Sequence, residues 1–257
     1  VSYTSLTVKG TLHANGFNIT LGSFSSLTVE GSVEGARAIV AGRFSSLSVG
    51  EDLVLSQRGS GTMGGGKCVL PSCNPAFFGY YPSETIFAPS EWYINGNFES
   101  QDALGAACCI NLQTGKNAVF SSFGTGSDGR SNIVVDGDLI VSGGVQLYSA
   151  AIYVTGNKVA VGTLYADTKS SLEAPFATFE AESVYSYGAT IILGRTATIS
   201  SLSSISNQES VLTFYGDLTV GDLTLGTAQI TVYGDCHINS VNSYYSPIAA
   251  DFTAFQG

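Results

Sequence analysis

The chain has 257 residues and a formal net charge of −10, from 20 acidic and 10 basic side chains. An acidic surface repels nucleic acid and anionic membranes, and the sequence holds no apolar run of the roughly 18 residues that a transmembrane helix needs. We therefore expect neither a nucleic-acid partner nor membrane insertion.

A repeat of about 20 residues begins near the N-terminus. The stretch Leu21–Val49 holds two copies, Gly22-Ser23-Phe24-Ser25-Ser26-Leu27 and Gly42-Arg43-Phe44-Ser45-Ser46-Leu47. A second motif reads apolar, any residue, Gly, small polar, apolar, and its copies include Val29–Val33, Val135–Leu139 and Phe214–Leu218. Glycine suits the positive φ of a tight turn, so we expect each copy to be a turn between two strands.

The spacing of 18–21 residues predicts an all-β fold, a single-stranded parallel β-helix (β-solenoid) that forms one domain over residues 1–257. About 220 residues at about 20 per coil give about 11 coils. An antiparallel sandwich is the competing interpretation, because the same motif is a hairpin signal. The nearly constant spacing favours the solenoid, since hairpins in a sandwich need not recur in register.

Residues 56–90 interrupt the repeat with a long Cys/Pro/Gly-rich insertion. Loops of this length without secondary structure usually carry function. We expect it to project from one coil and to present exposed aromatic side chains to a ligand or a neighbouring subunit: Phe77, Phe78, Tyr80, Tyr81 and Trp92.

Five cysteines are present. Cys68, Cys73, Cys108 and Cys109 are candidates for two disulfides that would join the insertion to a coil, and their spacing leaves all three connectivities open. Cys236 occupies the motif position that Leu218 fills, so we predict a buried free thiol there.

The chain ends are expected to be uncapped. Leu6 and Val8 already belong to a motif strand, and no amphipathic helix precedes them. Residues 239–257 leave the repeat and read as a tail for docking or capping. Unpaired edge strands invite another chain to pair with them, so we predict subunit contacts at Leu6, Val8, Tyr244, Tyr245, Phe252 and Phe255.

Catalytic patterns are weak. Gly61–Cys68 resembles a phosphate-binding loop but lacks the hydroxyl that binds Mg²⁺. The two histidines, His13 and His237, are expected far apart. Asp217 and Asp235 lie one coil apart, which suits a glycosidase pair, but aspartate also suits turns. We predict that the chain is not an enzyme, with a polysaccharide lyase or hydrolase as a further alternative.

No cofactor is predicted, with Ca²⁺ at Asp136 and Asp138 as the alternative. Asn18-Ile19-Thr20 is a glycosylation sequon. Asn18 is expected to face outward between inward-facing Phe17 and Ile19.

The motif copies Val29-Glu30-Gly31-Ser32-Val33 and Phe214-Tyr215-Gly216-Asp217-Leu218-Thr219-Val220 resemble the rungs of secreted β-helical adhesin passengers. Their spacing is also similar to that of bactofilins, whose solenoids polymerise end to end without nucleotide. Both resemblances imply structure or adhesion rather than catalysis.

The chain begins with Val1 and its single methionine is Met63, so we expect that an N-terminal secretion signal was removed. We predict an extracellular or cell-surface subunit whose partner is itself, in a filament, sheath or surface layer. A surface adhesin that binds a glycan or a protein is the alternative.

Overall fold

The computed structural model of the chain is a parallel β-solenoid, and it describes residues 3–41, 44–56, 90–106, 110–125, 131–205, 208–243 and 251–254. Two long parallel sheets form its walls, and the chain passes alternately from one to the other. Each coil consists of one strand from each of the two long sheets. The predicted fold class is confirmed, and the antiparallel sandwich is wrong because every strand pair between neighbouring coils is parallel.

Within these described ranges, sheet I contains 12 strands. In chain order they are β1 (Thr4–Val8), β4 (Ser25–Val29), β7 (Ser46–Val49), β9 (Ser90–Ile94), β11 (Ile110–Thr114), β13 (Ser131–Val135), β15 (Ala150–Val154), β17 (Ser171–Ala174), β19 (Thr190–Leu193), β21 (Ser210–Phe214), β23 (Ala228–Val232) and β25 (Asp251–Ala254).

Sheet II contains 11 strands among the described residues. They are β2 (Leu12–His13), β5 (Val33–Ala36), β8 (Leu53–Leu55), β10 (Phe98–Ala106), β12 (Ala118–Thr125), β14 (Leu139–Leu147), β16 (Lys158–Ala166), β18 (Thr178–Ser186), β20 (Ala197–Ser204), β22 (Leu218–Leu225) and β24 (Cys236–Ser243). Sheet III pairs only β3 (Asn18–Leu21) with β6 (Ala38–Ala41).

Apolar side chains alternate with polar ones along each strand and fill the space between the sheets, because successive residues of a strand face opposite sides. The parallel register stacks equivalent residues into columns along the solenoid axis. The inward column of sheet I consists of Leu6, Leu27, Leu47, Trp92, Leu112, Ile133, Ile152, Leu172, Ile191, Leu212 and Ile230. The core is therefore continuous and elongated.

Equivalent turn residues are separated by 18 to 21 positions in regular coils. One interval, from Asp52 to Asn97, spans 45 positions. The predicted insertion falls in this interval, and its residues 57–89 lie outside the described residues. On either side of it β7 pairs directly with β9, and β8 with β10.

The motif glycines have a different role from the one predicted. Among the described glycines, positive φ occurs at Gly16, Gly35 and Gly188, none of which is a motif glycine. A Cβ on Gly137 would lie 2.6 Å from the carbonyl carbon of Lys116 in the preceding coil. The motif therefore needs glycine because the backbones of successive coils touch at this corner.

Candidate functional site: the two ends of the solenoid

The N-terminal end of the solenoid exposes its core. Leu6 is 58% exposed, whereas Leu27 in the next coil is 3% exposed. The difference arises because β1 is the first strand of sheet I and no described strand lies beneath it. A depression of about 370 Å³ opens at this end, and its apolar lining consists of Leu6, Leu12, Ile19, Leu21 and Leu27.

Gly10 occupies the motif corner of this first coil. A Cβ on Gly10 would meet no atom within 4 Å, whereas a Cβ on Gly31, its equivalent in the next coil, would lie 3.0 Å from the carbonyl carbon of Gly10. The corner at Gly10 thus keeps the residue that permits close stacking on a preceding coil, although no described residue lies on that side of it.

A ladder of asparagine and aspartate side chains runs along the same corner. In five places an Oδ1 atom accepts a hydrogen bond from the backbone N–H of the equivalent residue in the following coil. These bonds run from the N–H of Asn97 to Asp52 (2.7 Å), of Asn117 to Asn97 (3.3 Å), of Asp138 to Asn117 (2.9 Å), of Asn157 to Asp138 (2.8 Å) and of Asp235 to Asp217 (2.9 Å).

The ladder has a direction, since in each of these five bonds the side chain accepts from the coil that follows it. Thr11 holds the first position, and no described side chain precedes it to accept from its backbone N–H. Asp235 holds the last position, and no described residue follows it in the ladder to donate to its carboxylate. One end of the solenoid therefore offers a donor and the other an acceptor at the same corner.

The C-terminal end leaves the last strand of sheet II open. Val241 in β24 is 54% exposed, although its register partner Leu223 in β22 is 1% exposed. Sheet I is covered at this end, because β25 pairs with β23, where Ile230 is 2% exposed. The open surface at this end therefore belongs to sheet II.

Cys236 corrects one prediction. It aligns with the buried Leu218, so its inward register is as predicted. It is nevertheless exposed rather than buried, because β24 is the last strand of sheet II and nothing described covers the position. It is a free cysteine, the one cysteine within the described ranges. Partial burial raises the pKa of its thiol.

The two histidines lie at opposite ends of one outward column of sheet II. His13 aligns with Glu34 in β5, and His237 aligns with Thr219 in β22. Between them the column passes through Val54, Glu99, Val119, Ile140, Ala160, Glu180 and Thr198. The Nδ1 atom of His13 lies 3.1 Å from Oε2 of Glu34. The separation predicted for the histidines is confirmed.

Trp92 corrects a second prediction, because it is fully buried rather than exposed. It lies in β9, stacked between Leu47 and Leu112 in the inward column of sheet I. Its ring centroid is 6.4 Å from that of Phe98. Trp92 is thus a core residue and presents no surface to a ligand.

Several other predicted residues lie outside the described residues: Cys68, Cys73, Cys108, Cys109, Phe77, Phe78, Tyr80, Tyr81, Tyr244, Tyr245 and Phe255. Phe252 lies in β25 and pairs with Ile230 in the backbone register. The predicted tail also begins too early, because residues 239–243 belong to β24. Val241 and Ser243 pair in register with Leu223 and Leu225 of β22 and so continue the strand.

Asn18 is exposed on β3, as expected, but Phe17 is 75% exposed rather than inward-facing. The cause is a turn before β3 in which Asn15 and Gly16 have φ values of 49° and 81°. The N–H of Phe17 donates to the carbonyl of Ala14 at 2.9 Å, which closes this turn.

The aspartates considered for catalysis or calcium belong to the ladder or its flank. Asp138 accepts from the N–H of both Asn157 and Lys158, at 2.8 and 3.0 Å, and Asp136 accepts from Gln113. Within the described ranges, no three His, Cys, Asp or Glu side chains are grouped as metal ligands. The same ranges contain no helix long and apolar enough to cross a membrane.

Comparison of the chain with protein families, with curated proteins and with solved structures found no match.

Proposed function

We propose that the chain is a structural subunit that assembles end to end, with the C-terminal end of one copy docked beneath the N-terminal coil of the next. The solenoid fold suits a structural or surface protein, since its stacked coils form a rigid rod. The two ends differ from each other, so the contact is head to tail and continues into a filament.

One observation carries this proposal: the first described coil is built like an internal coil, but no described coil precedes it. Leu6 continues the inward column and Gly10 keeps the stacking corner, yet Leu6 is 58% exposed and no atom lies within 4 Å of a Cβ on Gly10. Burying such a leucine contributes about 1.5–3 kcal/mol. A coil from a second copy satisfies both positions.

The polarity of the ladder supports the same arrangement. In the proposed junction the carboxylate of Asp235 accepts from the backbone N–H of Thr11 in the next copy, as Asp217 accepts from Asp235 within one chain at 2.9 Å. The backbone N–H and C=O groups of two edge strands that run parallel can also pair in this head-to-tail arrangement. In a head-to-head contact the backbone N–H of Thr11 would meet no ladder carboxylate from the other copy.

We assign no catalytic role to the chain and propose no cofactor. The carboxylate of Asp217 accepts a backbone hydrogen bond within the ladder, which explains why an aspartate stands there without invoking a reaction. The extracellular or cell-surface location stays a prediction.

The test is Gly10→Ala. This substitution meets no atom in the single chain, so we expect its thermal unfolding to be unchanged. In the junction the new methyl group would press on the preceding coil, so sedimentation velocity should show that assembly needs a protein concentration at least about tenfold higher. Gly124→Ala is the matched control, because its Cβ would make only ordinary contacts at 3.8 Å on the side wall. Equal assembly by both variants would contradict the proposal.

A surface adhesin is the second candidate function. Tyr215 and Tyr233 form an exposed pair whose rings stack at 5.2 Å with an interplanar angle of 12°, and aromatic faces of this kind bind sugar rings. Binding to a glycan array that is lost in the double variant Tyr215→Ala and Tyr233→Ala would support this role.

A further inference from the structure

The two walls of the solenoid have unequal numbers of strands. Among the described residues, sheet I has 12 strands and sheet II has 11, because β25 adds a strand to sheet I while β24 is the last described strand of sheet II. Residues 244–250 connect β24 to β25 in the sequence. No described strand accompanies β25 in sheet II.

The register of β25 matches that of β1. In β25, Phe252 and Ala254 align with Ile230 and Val232 of β23. In β1, Leu6 and Val8 align with Leu27 and Val29 of β4. Phe252 and Leu6 therefore hold the same position in the sheet I column. Leu6 lies in the first described strand of that column, and Phe252 lies in the last. Each strand places an apolar residue, a threonine and a second apolar residue at these positions: Phe252-Thr253-Ala254 and Leu6-Thr7-Val8.

A junction formed on top of β25 leaves a gap. If β1 of a second copy paired with β25, its β2 would lie two strand spacings, about 9.6 Å, from β24. The facing edges of β2 and β24 would then keep unpaired backbone groups, which is costly where water is excluded. If β1 takes the place of β25, it pairs with β23, and β2 pairs with β24 at about 4.8 Å.

We infer that the edge of β23 is the binding surface for β1 of a second copy, and that β25 occupies this surface in the single chain. The inference rests on the proposed function and specifies its junction. Assembly exchanges an intramolecular strand for an equivalent intermolecular one, which is a form of strand addition to a sheet edge. An occupied edge also protects the single chain against premature association.

The columns of sheet II continue without a gap when β1 of the second copy replaces β25, and they do not when β1 pairs with β25. It places Cys236 next to Leu12 of the second copy, Asp235 next to Thr11, and His237 next to His13. Each pair extends a register that the chain already shows, since Cys236 aligns with Leu218 and His237 with Thr219. The corner at Gly10 then packs on Gly234, as Gly234 packs on Gly216 within the chain.

The test is a chain that ends at Ser243. Removing residues 244–257 frees the edge of β23, so we expect the protein concentration needed for assembly to fall about tenfold or more relative to the full chain. A synthetic peptide of residues 244–257 added to the truncated chain should restore the higher concentration. Circular dichroism and thermal unfolding establish that the truncated chain is folded, and the peptide provides a readout on the full chain as well, where it should slow assembly.

Equal assembly by the full and truncated chains, with no effect of the peptide, would overturn the inference and leave end-to-end assembly standing. Weaker assembly by the folded truncated chain would also overturn it, because the tail would then join copies instead of blocking the junction. If neither chain assembles at any concentration, the proposed function fails together with the inference. If truncation unfolds the chain, failure of the peptide to slow assembly of the full chain overturns the inference.

Discussion

Asn117 and Asp138 lie 21 residues apart and are joined at one corner of the solenoid, where the Oδ1 atom of Asn117 accepts a 2.9 Å hydrogen bond from the backbone N–H of Asp138. Asp138 repeats this relationship with the coil that follows it. The relationship explains why a small polar residue with a side-chain oxygen follows the motif glycine. It also gives the solenoid a direction that a second copy can continue.

The ladder should contribute measurably to stability. Asp138 accepts from two backbone N–H groups, at 2.8 and 3.0 Å, so Asp138→Ala should lower the free energy of unfolding by about 1–2 kcal/mol. Asp138→Asn keeps an acceptor oxygen and should cost less than half as much. Urea unfolding measures both, with Asp136→Ala as the control outside the ladder. Equal losses for the three variants would contradict the ladder's role.

The internal glycine corners should be far less tolerant than the end. A Cβ on Gly194 would overlap the carbonyl group of Pro175, so Gly194→Ala should destabilise the fold by about 3 kcal/mol. Thermal unfolding compared with Gly10→Ala provides the contrast, because Gly10 meets no atom. Similar melting temperatures for the two variants would show that close stacking does not select glycine.

Cys236 should report the junction. In the single chain it is exposed, but partial burial raises the pKa of its thiol. Because the thiolate is the reactive form, labelling by iodoacetamide should require a higher pH than for an ordinary cysteine. In the assembly Cys236 faces Leu12 of the next copy and should be protected at every pH. Peptide mapping by mass spectrometry distinguishes it from the other four cysteines, and equal labelling in both states would argue against this junction.

Zinc should report the register. The exchanged junction places His237 beside His13 of the next copy, about 4.8 Å apart along the sheet. Glu34 lies 3.1 Å from Nδ1 of His13, an arrangement that orients a metal-binding imidazole. Zn²⁺ should therefore promote assembly where Ca²⁺ does not, as light scattering can measure. His237→Ala should abolish the zinc effect and retain basal assembly, and a zinc effect that survives it would indicate another register.

Much of the fold could be predicted from the sequence, because a period near 20 residues and alternation within each strand are local signals. The ends of the columns could not. Cys236 has the pattern of an inward residue, but its exposure depends on whether another strand follows in sheet II. Trp92 adjoins the insertion in the sequence, yet it belongs to the inward column because β9 pairs directly with β7 across the insertion.

The sequence predicted correctly where the chain turns at the glycine motif, but it gave the wrong reason for the glycine and the aspartate there. Glycine and aspartate both favour turns, so a turn alone accounted for them. The sequence therefore did not reveal that Gly137 packs against the preceding coil or that Asp138 accepts a hydrogen bond from the following one. The signal that could have revealed them is recurrence in register, since Asn97, Asn117, Asp138 and Asn157 all follow the same corner. An isolated turn does not require the same residue type in successive coils, whereas a ladder of hydrogen bonds does.

The most direct measurement of end-to-end assembly is electron cryo-microscopy of the purified chain over a range of concentrations. With β25 exchanged, each copy contributes 11 strand levels, so we predict unbranched filaments with a subunit repeat of about 53 Å along the axis and a continuous spacing of about 4.8 Å. Separate rods the length of one chain at every concentration, for both the full chain and the chain that ends at Ser243, would contradict the account.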